Sequence, residues 1–474
     1  MKDIAPSTID LTQTEKLSWK TQISYGVGEL AGAIPGNILV FFFLFFLTNI
    51  AGLNPTTAGT ILLLGKAWDA INDPLIGWLS DQTGSPLGRR YPWMIYGAFP
   101  LGLCFFLLWL VLPTTNQWVM FAYYSTIALL FYTAFTAVLL PFSALAAELT
   151  SGYDERTSLI SFKSGFSIGG SIFSLILAQI IFKLVSSPSK QYLFLGAIGG
   201  ALAILAVYLS VWGTYRHYRA LQTKQSQIER PPAQRIWQQL KIALSNRPFL
   251  YLIGIYLCSW LGVQVTAAIL PYFVINWMKL PEYHFTQMAL AVQGTALGMM
   301  FIWTTLSHRV EKKAIYCMGI PLTICALVGL FILQPGQIGL MYIWAVMAGI
   351  GISTAYLVPW SMLPDVVDLD ELKTGQRREG IYYGCVVQLQ KFGVAMALFL
   401  VGKILDWAGF ISKVAGQTPP IQPDSALWAI RLIIGPVTIL SLVVGLILSY
   451  FYPISRAVHK EILLQLNQRR KSSQ

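Results

Sequence analysis

The feature that most constrains this chain is a stretch of about 20 apolar residues that returns again and again along its length. A helix needs about 20 such residues to cross the hydrocarbon of a bilayer. Only structures that bond every backbone group internally can cross at all. Runs of that kind lie at 24–49, 57–79, 93–112, 117–147, 160–184 and 191–212. Six more lie at 249–276, 285–306, 314–333, 338–363, 380–404 and 426–451. The expected fold is an all-α polytopic membrane protein with twelve transmembrane helices. A water-soluble enzyme is excluded by charge: 11% of the residues are charged, against about 25% in soluble domains.

Between the sixth and seventh runs the composition changes. Residues 213–248 are polar and contain Pro231 and Pro232 among Gln, Lys and Arg. This divides the chain into an N-terminal six-helix half (1–212), a linker (213–248) and a C-terminal six-helix half with its tail (249–474), a common transporter plan. Lys and Arg gather in alternate connections, among them Arg89 and Arg90, Arg156, the linker, Lys312 and Lys313, Arg377 and Arg378, and the tail. Short basic loops stay in the cytoplasm, so both termini are expected there. The first 20 residues are polar and the first apolar run is too long for a secretory signal, so that run is expected to remain as a span. The net charge of +12 therefore belongs to one membrane face, and nucleic acid is not expected as a partner. The cysteines (Cys104, Cys258, Cys317, Cys325 and Cys385) all lie in apolar runs and form no CxxC pair. The four histidines show no HxxxH spacing, and no nucleophile–base set stands out. The chain therefore reads as neither an enzyme nor the holder of a cofactor.

Ionisable groups inside spans are costly and generally face a protein interior or a wet cavity. The second span reads GKAWDAINDPLIGWLSD, in which Asp69 and Asp73 are four apart on one helix face with Lys66 three residues earlier. Two such carboxylates repel unless a cation or a proton joins them. Asn72 and Thr136 are candidate further oxygen donors. Two readings stand: a site for Na⁺ or H⁺ at Asp69 and Asp73, or a Lys66–Asp ion pair that only ties helices together. Lys391 lies deep in the eleventh span and needs a counter-charge, for which the second-span carboxylates are the best candidates. Glu29, Lys163 and Arg431 lie near span ends and read as interfacial groups. Asp81, Arg89, Arg90, Asp365, Asp368, Arg377 and Arg378 lie at one mouth, where ion pairs between the halves would form a cytoplasmic gate.

Several of these segments carry a resemblance. SYGVGELAG with FFLTNIAGL, KAWDAINDPLIGWLSDQT with GRRYPW, and YLVPWSMLPDVVDLDELKTGQRREGIYYG resemble the glycoside–pentoside–hexuronide:cation symporters. These form the melibiose-carrier branch of the major facilitator superfamily, and the likeness runs over essentially the whole chain. It implies the major facilitator fold and cation-coupled uptake by alternating access across the plasma (bacterial inner) membrane. Asp69, Asp73 and Thr136 then hold Na⁺ or H⁺, and Lys391 matches the coupling lysine. The sugar pocket departs from the family: the two sugar-binding aspartates correspond to Ala33 and Leu139, and the stacking tryptophan to Ser143. The first expectation is a sugar or glycoside as substrate, and the second is a lysophospholipid or other amphiphile, which the PFSAL and PWSMLPDVVD segments also resemble. Membrane lipid is the surrounding partner, and a monomer is the default.

Overall fold

The computed structural model describes residues 17–150, 153–222, 244–307, 309–375, 378–412 and 420–472. Among them, regular structure is helical throughout. The first half comprises α1 (Trp19–Asn49), α2 (Pro55–Gln82), α3 (Tyr91–Leu107), α4 (Gln117–Leu149), α5 (Tyr153–Leu184) and α6 (Pro188–Gln222). The second comprises α7 (Arg247–Trp277), α8 (Glu282–Ser307), α9 (Lys312–Ile332), α10 (Ile338–Thr374), α11 (Glu379–Trp407) and α12 (Asp424–Tyr450). A tail helix, α13 (Arg456–Ser472), follows. Ten of the described helices are long and apolar enough to cross a bilayer. The remaining two expected spans are α2, made polar by Lys66, Asp69, Asp73 and Asp81, and α3, which is 17 residues long. The central linker expected at 213–248 is helical up to Gln222, and its residues 223–243 lie outside the described set.

The two halves carry a common local device. In α1 the amides of Ala51 and Leu53 reach back to the carbonyls of Phe46 and Leu47, each at 2.8 Å. In α7 the amides of Met278 and Leu280 reach back to Phe273 and Val274, at 2.9 and 3.1 Å. The five positions 46, 47, 51, 52 and 53 recur as 273, 274, 278, 279 and 280, and Gly52 (φ 85°) and Lys279 (φ 55°) both take the left-handed conformation. This reverse-turn ending satisfies carbonyls that a helix terminus would leave orphaned. Each helix also carries a π-helical turn near that end, Leu39–Phe43 and Phe273–Trp277.

Contacts between the halves run chiefly along α2 against α11 and α5 against α8. At the face opposite the basic loops the seam is tight. Thr48 and Tyr272 share a hydrogen bond of 2.6 Å, Thr56 donates to Asp406 at 2.6 Å, and Ser412 donates to the carbonyl of Leu53 at 2.7 Å. There α2 and α11 touch backbone to backbone: a Cβ on Gly402 would lie 2.4 Å from the carbonyl oxygen of Pro55.

At the basic face, several of the expected gate residues pair with groups of their own half. Arg89 and Arg90 both reach Glu148 of α4, at 2.6 and 3.3 Å, and Arg90 also pairs with Asp81. Lys312 binds Asp365 at 2.8 Å, and His459 of the tail helix lies 3.1 Å from Asp368 and 3.5 Å from Asp365. Burial, and then the Asp365 carboxylate, push the nearby Tyr452 hydroxyl well above its ordinary pKa. Arg378 forms the N-cap of α11, and Arg377 lies outside the described residues. The loops are short, so Arg89 and Arg90 reach the acid near the end of α4, and Lys312 reaches an acid within α10. Neither Glu148 nor His459 was expected in these clusters. The available signal was the shared pattern of an acid soon after a proline, Pro141 with Glu148 and Pro359 with Asp365.

Candidate coupling site and cavity

Asp69 and Asp73 face α4 and α11 because their four-residue spacing returns them to one side of α2. Pro74 follows directly and removes the amide that would bond the carbonyl of Ala70, which loosens the helix beside the carboxylates. From α4, the Thr136 hydroxyl bridges the pair, 3.0 Å from Asp69 Oδ1 and 3.1 Å from Asp73 Oδ1. From α11, Lys391 Nζ lies 2.5 Å from Asp73 Oδ2 and 3.0 Å from Asp69 Oδ2. The approach to Asp69 lacks hydrogen-bond geometry, so this buried oxygen keeps lone pairs for another ligand. Asp69 is 1% exposed and Asp73 15%.

Lys66 stands farther back, 3.8 Å from Asp69 Oδ2 and 4.7 Å from the centre of the Tyr132 ring. The local Lys66–Asp69 pair therefore exists, but it is the longer of the two contacts that Asp69 makes with an ammonium. Asn72 is buried, and its amide nitrogen has no hydrogen-bond partner among the described residues. Two carboxylates and two ammonium groups thus meet between α2 and α11. A hydroxyl and at least one underused carboxylate oxygen stand with them, oxygen donors of the kind hard cations take. Such a cation would be transported cargo.

Lys66 and Lys391 also line a cavity of about 220 Å³ with Gln264, Gln390 and Trp260. A larger neighbouring cavity, about 480 Å³, shares Gly36, Val40, Phe135, Trp260 and Gln264 with it. Its polar wall includes Glu29, Asn37, Gln293 and Tyr356, and Ala33 and Leu139 line it too. A narrow apolar slot of about 50 Å³ leads off beside Phe41, Val263 and Tyr356, walled by Leu270, Met288, Leu327, Leu330 and Ile352. Gln293 donates to Asn37 at 3.4 Å, and Asn37 donates to Ser171 and Ser174, so polar groups of both halves meet in this cavity.

Three groups read as interfacial from sequence are placed differently. Glu29 lines the central cavity, with Lys163 Nζ 3.6 Å from its Oε2. Arg431 is 8% exposed. Its Nε donates to the carbonyl of Phe331 at 3.0 Å, and its guanidinium lies 4.4 Å from the ring centre of Trp277 and 4.7 Å from that of Trp428. A guanidinium is weakly hydrated and stacks on aromatic faces, which makes this burial tolerable where headgroup contact was expected.

A bundle of long apolar helices in two halves, with charged groups and a cavity at the seam between them, defines a polytopic membrane transporter. Solved structures with this arrangement include the nucleoside transporter NupG (TM-score 0.63, 14% identity, 92% of this chain and 100% of that one). A bacterial homologue of the lysosomal transporter Spinster is also similar (TM-score 0.65, 12% identity, 91% and 95% covered). Residues 24–456 match the model of the MFS/sugar transport protein family, and the chain belongs to that family. An uncharacterised symporter of Synechocystis sp. is 44% identical over 97% of this chain and 98% of its own. The sodium-dependent lysophosphatidylcholine symporter 1 of Mus musculus is 26% identical over 97% of this chain and 90% of its own. The melibiose-carrier branch is a finer assignment than these matches make.

Proposed function

We propose that the protein is a secondary active symporter that couples Na⁺ entry at Asp69 and Asp73 to uptake of an amphiphile with one polar end and one apolar chain. The coupling rests on the charge balance between α2 and α11. Without a cation, two ammoniums offset two carboxylates. A bound Na⁺ adds one positive charge, and the pair relaxes when Lys391 withdraws into the adjoining 220 Å³ cavity. Lys391 is supplied by the second half and its partners by the first, so cation occupancy alters a tie between the halves. That link lets a local binding event bias alternating access. We assign both termini and the basic loops to the cytoplasm, the halves to 1–212 and 249–474, the membrane to the plasma (bacterial inner) membrane, and the working unit to a monomer.

The substrate reading is carried by one observation: Ala33 and Leu139 line the central cavity where the resembled sugar carriers place carboxylates. Sugar hydroxyls need such acceptors, and a site without them leaves buried polar groups unpaired. The apolar lining of the slot beside the cavity is the surface a hydrocarbon chain would contact on opening, and relatives that transport lysophosphatidylcholine in a sodium-dependent manner support the same choice. A sugar remains the second reading, favoured by Asn37, Gln264, Gln293 and Trp260 in the walls of the larger cavity.

Uptake into proteoliposomes decides between them. Fluorescent lysophospholipid and a panel of radiolabelled sugars are presented with a Na⁺ gradient, with a pH gradient and with neither. Na⁺-driven lysophospholipid accumulation is expected; Na⁺-driven sugar accumulation with no lipid uptake would replace the amphiphile by the sugar.

A further inference from the structure

Within α1 one residue facing the central cavity is a carboxylic acid, Glu29. Its backbone stays right-handed helical (φ −66°, ψ −25°), and the helix only tightens locally around it. The amide of Glu29 bonds to Gly26 at 3.0 Å, and the carbonyl of Glu29 receives the amides of Gly32 and Ala33 at 3.0 and 2.9 Å. The side chain, 18% exposed, lines the 480 Å³ cavity. Its charge partner is held loosely: Lys163 Nζ lies 3.6 Å from Glu29 but only 2.9 Å from the hydroxyl of Ser143. Lys163 is the titratable group that faces Glu29 among the described residues. Ser167 of α5 adds a side-chain hydrogen bond, α4 presents Ser143 and Phe142, and the far wall presents Trp260, Gln264, Gln293 and Tyr356.

We propose that Glu29 is a proton-binding site in the substrate path, separate from the Asp69–Asp73 site, and that its protonation readies Lys163 for an anionic group of the substrate. The inference rests on reading the central cavity as that path. The carboxylate takes one proton from hydronium of the bulk solution, which leaves as water, and forms one O–H bond. Lys163 keeps its own proton and its hydrogen bond to Ser143. The wall then gains one unit of positive charge, which an anionic group entering the cavity offsets. A charged carboxylate kept without its ammonium in a membrane cavity is costly, so proton and anion enter together. The carrier thus uses two ions at two places: a metal cation between α2 and α11, and a proton on α1.

Infrared difference spectroscopy on the full chain in liposomes, in NaCl and without substrate, tests this directly. Over a pH titration the wild type should show a protonated-carboxyl C=O band that fades as the pH rises. Glu29→Gln should lose the band and Asp73→Asn should keep it. Lys163→Gln should move the midpoint upward by about one pH unit, because an opposite charge nearby favours the ionised form. A structural role for the pair would leave that midpoint without a Glu29 signal to follow. Absence of a titrating band in the wild type, its survival in Glu29→Gln, or an unmoved midpoint in Lys163→Gln would each overturn the assignment. Failure of Na⁺-driven uptake would leave these bands unchanged, so the two ideas fail separately.

Discussion

Asp73 sits where three helices meet: α2 carries it, α4 supplies the Thr136 hydroxyl, and α11 brings the Lys391 ammonium to 2.5 Å. Asp73→Asn keeps nearly the same volume but removes a charge from both cation and lysine. Truncating one partner of a buried ion pair costs about 3–5 kcal/mol, far more than the few tenths typical of a helix-surface pair. Cation-driven accumulation should collapse in proteoliposomes while substrate exchange persists weakly. Full wild-type accumulation would remove Asp73 from the coupling scheme. Lys66→Gln is the matched control. Its ammonium lies 3.8 Å from Asp69, so it should reduce driven uptake by less than Asp73→Asn does. A separate expectation concerns Arg431, whose guanidinium caps the end of α9 through Phe331. Arg431→Leu leaves that carbonyl unmet and should lower stability by about 1–3 kcal/mol, read as earlier unfolding in detergent with Na⁺ dependence retained.

At the scale of helices, the α2–α11 seam is a chief contact between the halves and carries the charged cluster. Its end opposite the basic loops is closed by backbone contact at Gly59 and Gly402, where a Cβ on Gly402 would come within 2.4 Å of Pro55. Backbone cannot yield as a flexible side-chain tip does, so Gly402→Val should push these ends apart. The expected result is a conformational balance shifted toward opening on that face, read as faster labelling of cysteines placed beside Thr56 and Asp406. Labelling at the wild-type rate would show that the contact is not a closure. At the basic face, Arg90 with Glu148 and Lys312 with Asp365 pair inside their own halves. They hold the short loops against their own bundles, and any role in gating would come through rigid movement of those bundles.

For the whole molecule, the tight seam at one face and the cavities between the halves lead to an alternating-access expectation. Crosslinking the two halves across the basic mouth should stop net transport, and unaltered transport in a fully crosslinked sample would sink the mechanism. The all-helical fold and its recurrent membrane-length helices were legible in the sequence because a bilayer makes them a matter of composition. About 20 apolar residues must span it, and an ion within such a run needs a reason. The four-residue spacing of Asp69 and Asp73 determined their shared face, and the depth of Lys391 called for an acid. Which acid it meets, that Lys66 stands second to it, and that Glu148 and His459 complete the clusters at the basic face were decided by tertiary structure. The same holds for Glu29 and Arg431, whose places near span ends suggested headgroup contact but whose helices turn them inward. A sequence records how far along a helix a charge lies, whereas its facing depends on neighbours distant in the chain, and for an ion in a membrane that facing decides which partner offsets its charge.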